Sequence, residues 1–366
     1  MPSLTAPYAP PHLSPSPTQE ELDYADLAVI DLSKAQDPQG CAELAVQVSQ
    51  AMQTHGFFYV VNHGYTSAQT NRIFDIADVP FSAVESDEKL LYTAKMKENG
   101  SYQGYKPREY WHIDNGVHDQ LEHYNINRDV TKRQHPEAVR PFLGEIEAFA
   151  RHAHFNVLHP ILRLVRLVWS LPEDALVDLH GFSSVGETYG NSLDCLLYPR
   201  SEEDELKTKN VWLKGHTDFG SITILYSQPV AALQILAQDG KWKWIKHIEN
   251  ALVINAGDAL EFLSGGYYRA TIHRVVQPPV DQQNYTRLGL FYFCMTDDEV
   301  KLVPFSESPV LQRVGITPRF NDADAPTMEA WRKGRTSAYG QSQLKATSEG
   351  KVEEEVINGV VVKHYN

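Results

Sequence analysis

The chain is poor in cysteine. Its 3 cysteines, Cys41, Cys195 and Cys294, are far apart, odd in number and without a CxxC pair, which excludes a disulfide framework or a zinc ribbon and fits reduced thiols. Any metal must be held by other side chains. Long apolar runs are missing too: no stretch approaches the roughly 20 residues of a membrane-spanning helix. The opening MPSLTAPYAPPHLSPSPTQE has neither the basic nor the apolar segment of a secretory leader. The expected location is cytoplasmic. Nor is positive charge in excess. Against 47 Asp and Glu stand 33 Lys and Arg, a net charge of −14 over 366 residues with no long basic run, so nucleic acid and membranes are poor partners. No fixed period recurs, which excludes solenoids and propellers. What is present, 42% hydrophobic and 10% aromatic residues, suits a packed globular protein, and a monomer or homodimer is expected.

Residues 1–22 read as a flexible proline-rich arm, because proline breaks both helices and sheet ladders. Residues 23–180 read as an α/β region. LAVIDLS (27–33) is a short strand, and CAELAVQVSQAMQTHGFFYVVNHG (41–64) passes from helical spacing to a β-rich run closed by glycine. From Asp87 to Arg133 the chain is polar, aromatic and irregular, the composition of a loop that lines a site. Pro136 to Leu171 has helical spacing, with Pro160 placed to start or kink a helix. Residues 181–335 turn to short strands such as SLDCLLYP, GSITILYS and NALVINAGDALEFLSGG, with Asp239-Gly240 as a hairpin turn. The tail, 336–366, follows the helix TMEAWRKGR and holds the polar QSQLKATSEGK, expected to be mobile, and a terminal hairpin about Asn358-Gly359.

In GHTDFGSITILYSQP (215–229), His216 and Asp218 stand at the mouth of a β-branched run. Side chains i and i+2 of a strand share a face, about 6–7 Å apart. Both can grip one ion, although the solvated end of a strand would look the same. His273 interrupts another strand-like stretch, YYRATIHRVVQPP, where a hydrogen-bonded core histidine is the plain alternative. Together, two imidazoles and a carboxylate from two strands form the facial triad that leaves open positions on a non-haem Fe(II). Zinc accepts the same donors. The discriminator is Arg287 in YTRLGLFYF. Burying an unpaired guanidinium costs several kcal/mol, so Arg287 needs a carboxylate. That is either a structural partner or the distal carboxylate of a dicarboxylate whose 2-oxo acid end chelates the metal.

The order GFFYVVNHG, YPR, HTDFGSITIL, DGKWKWI, NALVINAGDALEFLSGG, HRVV and TRLGLFYF, across residues 27–335, resembles the isopenicillin N synthase-like family of Fe(II)/2-oxoglutarate-dependent dioxygenases. The resemblance implies an α+β, mainly β fold: a double-stranded β-helix (jelly roll) core with flanking N-terminal and packing helices. It implies His216, Asp218 and His273 as iron ligands, and Arg287 and Tyr198 as holders of 2-oxoglutarate. The implied reaction consumes 2-oxoglutarate and O2, releases succinate and carbon dioxide, and oxidises a substrate C–H bond by hydroxylation, desaturation or oxidative ring rearrangement.

Two positions depart from the family pattern. Its Arg-x-Ser reads Arg287-Leu288-Gly289 here, without a hydroxyl, and the asparagine two residues before the tyrosine is Leu196. Phe219 and the loop residues Tyr102, Tyr105, Trp111, His112 and Tyr124 are candidates for contact with a small, partly apolar metabolite, with loop packing as the alternative. His118 and His123 read as loop residues and His63 as structural. The wording resembles fungal members of secondary metabolism more than plant hormone or flavonoid enzymes. Two alternatives stay open: an iron oxidase of the same fold that needs no 2-oxo acid, which Gly289 keeps alive, and a non-catalytic small-molecule binder, against which the triad argues.

Overall fold

A computed structural model describes residues 6–182, 190–338, 345–346 and 352–365. Within it β1 (Val29–Asp31) runs parallel to β2 (Phe57–Val61), and α1 (Pro38–Thr54) crosses between them. Asp37 opens that helix by accepting from the backbone N–H groups of Gln39 and Gly40, while Pro38 sits where no N–H is needed. Next, α2 (Ser67–Ser82) starts on a capping box between Thr66 and Gln69. Two short helices follow, α3 (Ser86–Leu91) and α4 (Met96–Asn99). The proline-rich arm has almost no regular structure, as its prolines require, yet it is tied to the body. Arg72 donates to Pro7 O at 2.6 Å, His12 N to Asp75 at 2.8 Å, and Thr18 to Asp281 at 2.7 Å.

The polar aromatic stretch expected to be an irregular loop contains β3 (Gly104–Lys106), the small hairpin β4 (His112–Asp114) and β5 (Val117–His118), and β6 (Leu121–Asn127). All seven residues of β6 are buried. The strand escaped the hydrophobic pattern because one face carries Leu121, His123 and Asn125 toward a cavity while Glu122, Tyr124 and Ile126 point the other way. A fully buried ion pair ties this region together. Lys106 pairs with Asp119 and donates to Leu121 O at 2.6 Å, while Asp119 also accepts from the backbone N–H of Trp111 at 2.7 Å. The Lys106 ammonium lies 4.3 Å from the centre of the Trp111 ring. Burial pushes this lysine below its ordinary pKa, against the pull of Asp119.

From Leu143 to Trp169 the chain is helical throughout: α5 (Leu143–His152), a π turn (Ala153–Leu158) and α6 (His159–Trp169). Pro160 has no N–H to donate and its ring would strike the carbonyl four residues back. The wider turn, closed by His159 N on His154 O, removes that conflict without ending the helix.

The rest is the jelly roll. In chain order come β7 (Gly190–Leu197), α7 (Glu202–Thr208), β8 (Val211–His216), β9 (Ile222–Tyr226), β10 (Leu233–Leu236), β11 (Trp242–Trp244), β12 (Leu252–Ala256), α8 (Asp258–Leu263), β13 (His273–Val276), β14 (Arg287–Cys294), α9 (Pro309–Val314), α10 (Met328–Ala338), β15 (Lys345–Ala346), β16 (Val352–Ile357) and β17 (Val360–Tyr365). An 8-stranded sheet of order β1-β2-β12-β9-β14-β7-β6-β3 faces a 7-stranded one of order β11-β10-β13-β8-β17-β16-β15, and both contribute walls to one cavity. Alternation along β14 divides the interior. Leu288, Leu290 and Tyr292 join the core against α1, α2, α5 and α6, whereas Arg287, Phe291 and Phe293 enter the cavity.

The terminal hairpin turns at Asn358-Gly359, both at positive φ, and closes this molecule's own barrel. Tyr365 pairs with Gly215 of β8, and Lys214 of β8 meets Glu353 of β16 at 2.5 Å. Of the polar segment 341–351, only Lys345 and Ala346 fall within the described residues.

These contacts carry consequences for stability. Asp119→Asn strands the Lys106 ammonium in the interior, and chemical denaturation should show a loss of about 3–5 kcal/mol, whereas surface carboxylate substitutions such as Glu203→Gln should change little. Deleting residues 352–366 bares the edge of β8 beside His216; the shortened protein should melt at lower temperature and self-associate on a sizing column, since a bare strand edge pairs with others.

Candidate active site

His216 ends β8 and His273 begins β13, and the antiparallel register sets them directly opposite each other. A β-bulge between this pair and the Val275–Leu213 pair resets the alternation, so that Leu213 and His216, three residues apart, both face the cavity. Asp218 lies in the turn beyond the strand rather than on it. That turn is fastened from the β12–α8 junction, by Asp258 N to Asp218 O at 2.7 Å and Ala259 N to Gly220 O at 3.0 Å. The junction residue is Gly257, where a Cβ would stand 2.3 Å from Gly220 O. No side chain fits there.

The three side chains converge. One ligand atom from each of His216, Asp218 and His273 lies within 4.8 Å of the others, with Asp218 Oδ1 3.9 Å from His216 Nε2 and 3.6 Å from His273 Nε2. His216 Nδ1 faces Lys214 O at 2.8 Å and His273 Nδ1 faces Thr271 O at 3.1 Å. A carbonyl only accepts, so each Nδ1 carries the proton and each Nε2 lone pair is left for a metal. The second oxygen of Asp218 accepts from Thr223 Oγ1 at 2.7 Å and Asn255 Nδ2 at 2.8 Å, which leaves Oδ1 for the shared centre. Burial and the neighbouring His273 push the His216 pKa down to about 3, so its ring is neutral. Burial also lowers that of His273, but Asp218 outweighs it and the net shift is upward. For Asp218 burial works against the charge, and the two histidines and Asn255 hold the carboxyl below its ordinary range. This donor set, two imidazoles and one carboxylate, fits iron(II).

Arg287 opens β14 and reaches the same cavity, only 4% exposed. Among the described residues no carboxylate pairs with it; its Nε donates weakly to Val230 O at 3.4 Å. Burial brings its pKa down to about 10, and it remains a cation. The other buried cations nearby are matched: Lys106 with Asp119, and Arg335 of α10 with Asp258. The cavity, about 170 Å³, thus holds one guanidinium fit for an incoming anion, as a 2-oxo dicarboxylate requires.

The remaining sequence candidates divide. Phe219, Tyr102 and Trp111 line the cavity. Tyr105 and Tyr124 are turned to the opposite face, where their rings lie 4.3 Å apart, Tyr105 donates to Pro80 O, and Tyr124 meets His135. His112 is exposed beside His118. Tyr198 is also turned out of the cavity, because Leu197 before it points in; its hydroxyl donates to Glu122 at 3.2 Å. His123, read from sequence as a loop residue, instead lines the cavity with Asn125. Asn125 Nδ2 donates to His123 Nδ1 at 2.6 Å, and burial together with Lys106 holds this imidazole neutral, so its proton sits on Nε2. Arg335 was missed as well, since nothing in a polar C-terminal helix signals that it reaches Thr217 O at 2.9 Å.

Comparisons with known proteins agree with this chemistry. The profile of the 2OG-Fe(II) oxygenase superfamily matches residues 187–296, and that of the non-haem dioxygenase in morphine synthesis N-terminal region matches 27–144. Scopoletin 8-hydroxylase of Arabidopsis thaliana is 28% identical over 319 residues, 86% of this chain and 82% of that protein. The 2-oxoglutarate-dependent dioxygenase frbH of Dothideomycetidae sp. (strain 11243) is 29% identical over 295 residues, 78% of this chain and 86% of that one. In fold, a full-length Neurospora crassa protein crystallised in complex with alpha-KG superposes with a TM-score of 0.73 at 20% identity, covering 88% of this chain and 100% of that one. The chain therefore belongs to the 2OG-Fe(II) oxygenase superfamily, as a jelly-roll dioxygenase dependent on iron(II) and 2-oxoglutarate.

Proposed function

We propose that His216, Asp218 and His273 hold the iron(II), that Arg287 receives the distal carboxylate of 2-oxoglutarate, and that the enzyme oxidises a C–H bond of a small, partly apolar metabolite. The observation that carries this reading is the convergence of three donor atoms within 4.8 Å in the cavity that also contains the buried, carboxylate-free Arg287. Iron(II) with 2-oxoglutarate and O2 supplies the oxidising power; the side chains orient and exclude. Asp218 is aimed by Thr223 and Asn255, and the histidines by their backbone carbonyls. Tyr102, Trp111, Phe219, Phe291 and Phe293 wall the cavity with rings, which exclude water and favour an apolar substrate surface.

A place in secondary metabolism, as a cytoplasmic enzyme, is the biological setting we favour. The fungal and plant relatives are equally similar to this chain, so identity does not choose between their kinds of substrate. Among the described residues no helix is long and apolar enough to cross a membrane, and the net charge of −14 disfavours nucleic acid and anionic lipid.

Two measurements test the assignment. In an anaerobic titration, His273→Ala should abolish the iron-dependent visible band that chelated 2-oxoglutarate gives, and Arg287→Ala should raise the 2-oxoglutarate Kd by about 10- to 100-fold, the worth of a charge-assisted hydrogen bond. Undiminished bands in both variants would defeat the assignment. Asn255→Ala, which releases one oxygen of Asp218, should weaken iron(II) binding roughly 10- to 100-fold by calorimetry, with 2-oxoglutarate binding at saturating metal much less affected.

A further inference from the structure

The family pattern holds the distal carboxylate with an arginine, a hydroxyl two residues later and a tyrosine. Of these only Arg287 is in the cavity. Gly289 brings no hydroxyl, and its missing side chain has been replaced by a neighbour: a Cβ on Gly289 would stand 2.5 Å from Phe291 Cε2. Tyr198 is engaged with Glu122 on the other face of β7. Yet Arg287 Nη1 lies only 3.6 Å from that same Cβ position, so the guanidinium reaches over Gly289.

The residue opposite Gly289 on β7 is Cys195, and opposite Cys195 on β6 is His123. Side chains directly opposed across an antiparallel pair have Cβ atoms about 4.5–5.5 Å apart. Cys195 is buried and lines the cavity together with Arg287, and it is near enough for its charge state to be felt by both Arg287 and Lys106. A thiol is a weak donor, yet it is the side chain on β7 that stands across from the missing hydroxyl and faces the same cavity as Arg287.

We propose that Cys195 is the second holder of 2-oxoglutarate, donating its S–H to the distal carboxylate oxygen that the family serine would otherwise contact. This rests on the reading that Arg287 binds that carboxylate. Cross-strand substitution keeps a donor at the anchor while the Phe291 ring occupies the place of the absent side chain, so the second donor comes from β7 instead of β14 and the wall of the cavity gains an aromatic ring.

Calorimetric titration of the manganese(II)-loaded protein with 2-oxoglutarate, and separately with pyruvate, which keeps the chelating end but lacks the distal carboxylate, isolates this contact without turnover. Cys195→Ala should weaken 2-oxoglutarate about three- to tenfold, the worth of one modest hydrogen bond, and leave pyruvate unchanged; Cys195→Ser should restore or exceed the parent affinity. Equal binding of 2-oxoglutarate by parent and Cys195→Ala, equal weakening of both acids, or failure of serine to rescue would each overturn the role of Cys195. Arg287→Gln reports on the underlying reading separately: if it leaves 2-oxoglutarate binding unchanged, the anchor itself is misassigned, whatever Cys195 does.

Discussion

The bulge in β8 decides where His216 and His273 can meet. A side chain period of two would put Leu213 and His216 on opposite faces, and a slip of one residue would send His216 out of the barrel. The extra residue opposite Arg274 turns both inward and sets His216 across from His273. Around that bulge the local structure is crowded: a Cβ on Gly215 would meet Tyr365 Cβ at 2.8 Å and Trp242 Cη2 at 3.0 Å. Thus the C-terminal hairpin, far away in sequence, closes over the strand whose irregularity places His216.

The triad and Arg287 were legible because each breaks an apolar pattern with a group that has no reason to be there alone. The opening strand-helix-strand unit, the Asp239-Gly240 turn and the terminal Asn-Gly hairpin were legible because turn and capping chemistry is local. The second ring of residues was not. Naming Tyr105, Tyr124 and His112 while reading His123 as a loop residue amounts to misreading the strands β3, β4 and β6 as a loop, since without strands there is no alternation to sort inward from outward side chains. Tyr198 fails for the same reason: its motif was recognised, but the face it presents depends on where β7 ends and how it pairs with β14. The bulge, a matter of pairing between strands some 60 positions apart, leaves no mark in either strand alone.

Long-range ties explain the other surprises. The proline-rich arm is irregular but anchored, because the hydrogen-bonding groups that hold it belong to α2 and to Asp281. Arg335 enters the cavity from a helix whose polar composition suggests a solvated surface, and it can be buried there only because Asp258 is buried with it. Asp258 follows Gly257 in the junction that also fastens the Asp218 turn, so the tail helix and the triad are joined through one residue.

Charge balance then shapes the cavity as a whole. Lys106 and Arg335 bring their own carboxylates, and His123 is kept neutral. Among the described residues that line the cavity, what is left is the charge of Asp218 and that of Arg287. Iron(II) and the dianion 2-oxoglutarate carry equal and opposite charges, and Asp218 and Arg287 balance each other, so the site assembled as proposed would be neutral although none of its parts is. In a low-dielectric pocket this matters more than any single contact: each ion is costly to bury until its counterpart arrives. The aromatic surface that remains, Tyr102, Trp111, Phe219, Phe291 and Phe293, adds no charge of its own, which is the electrostatic ground for proposing a largely apolar substrate.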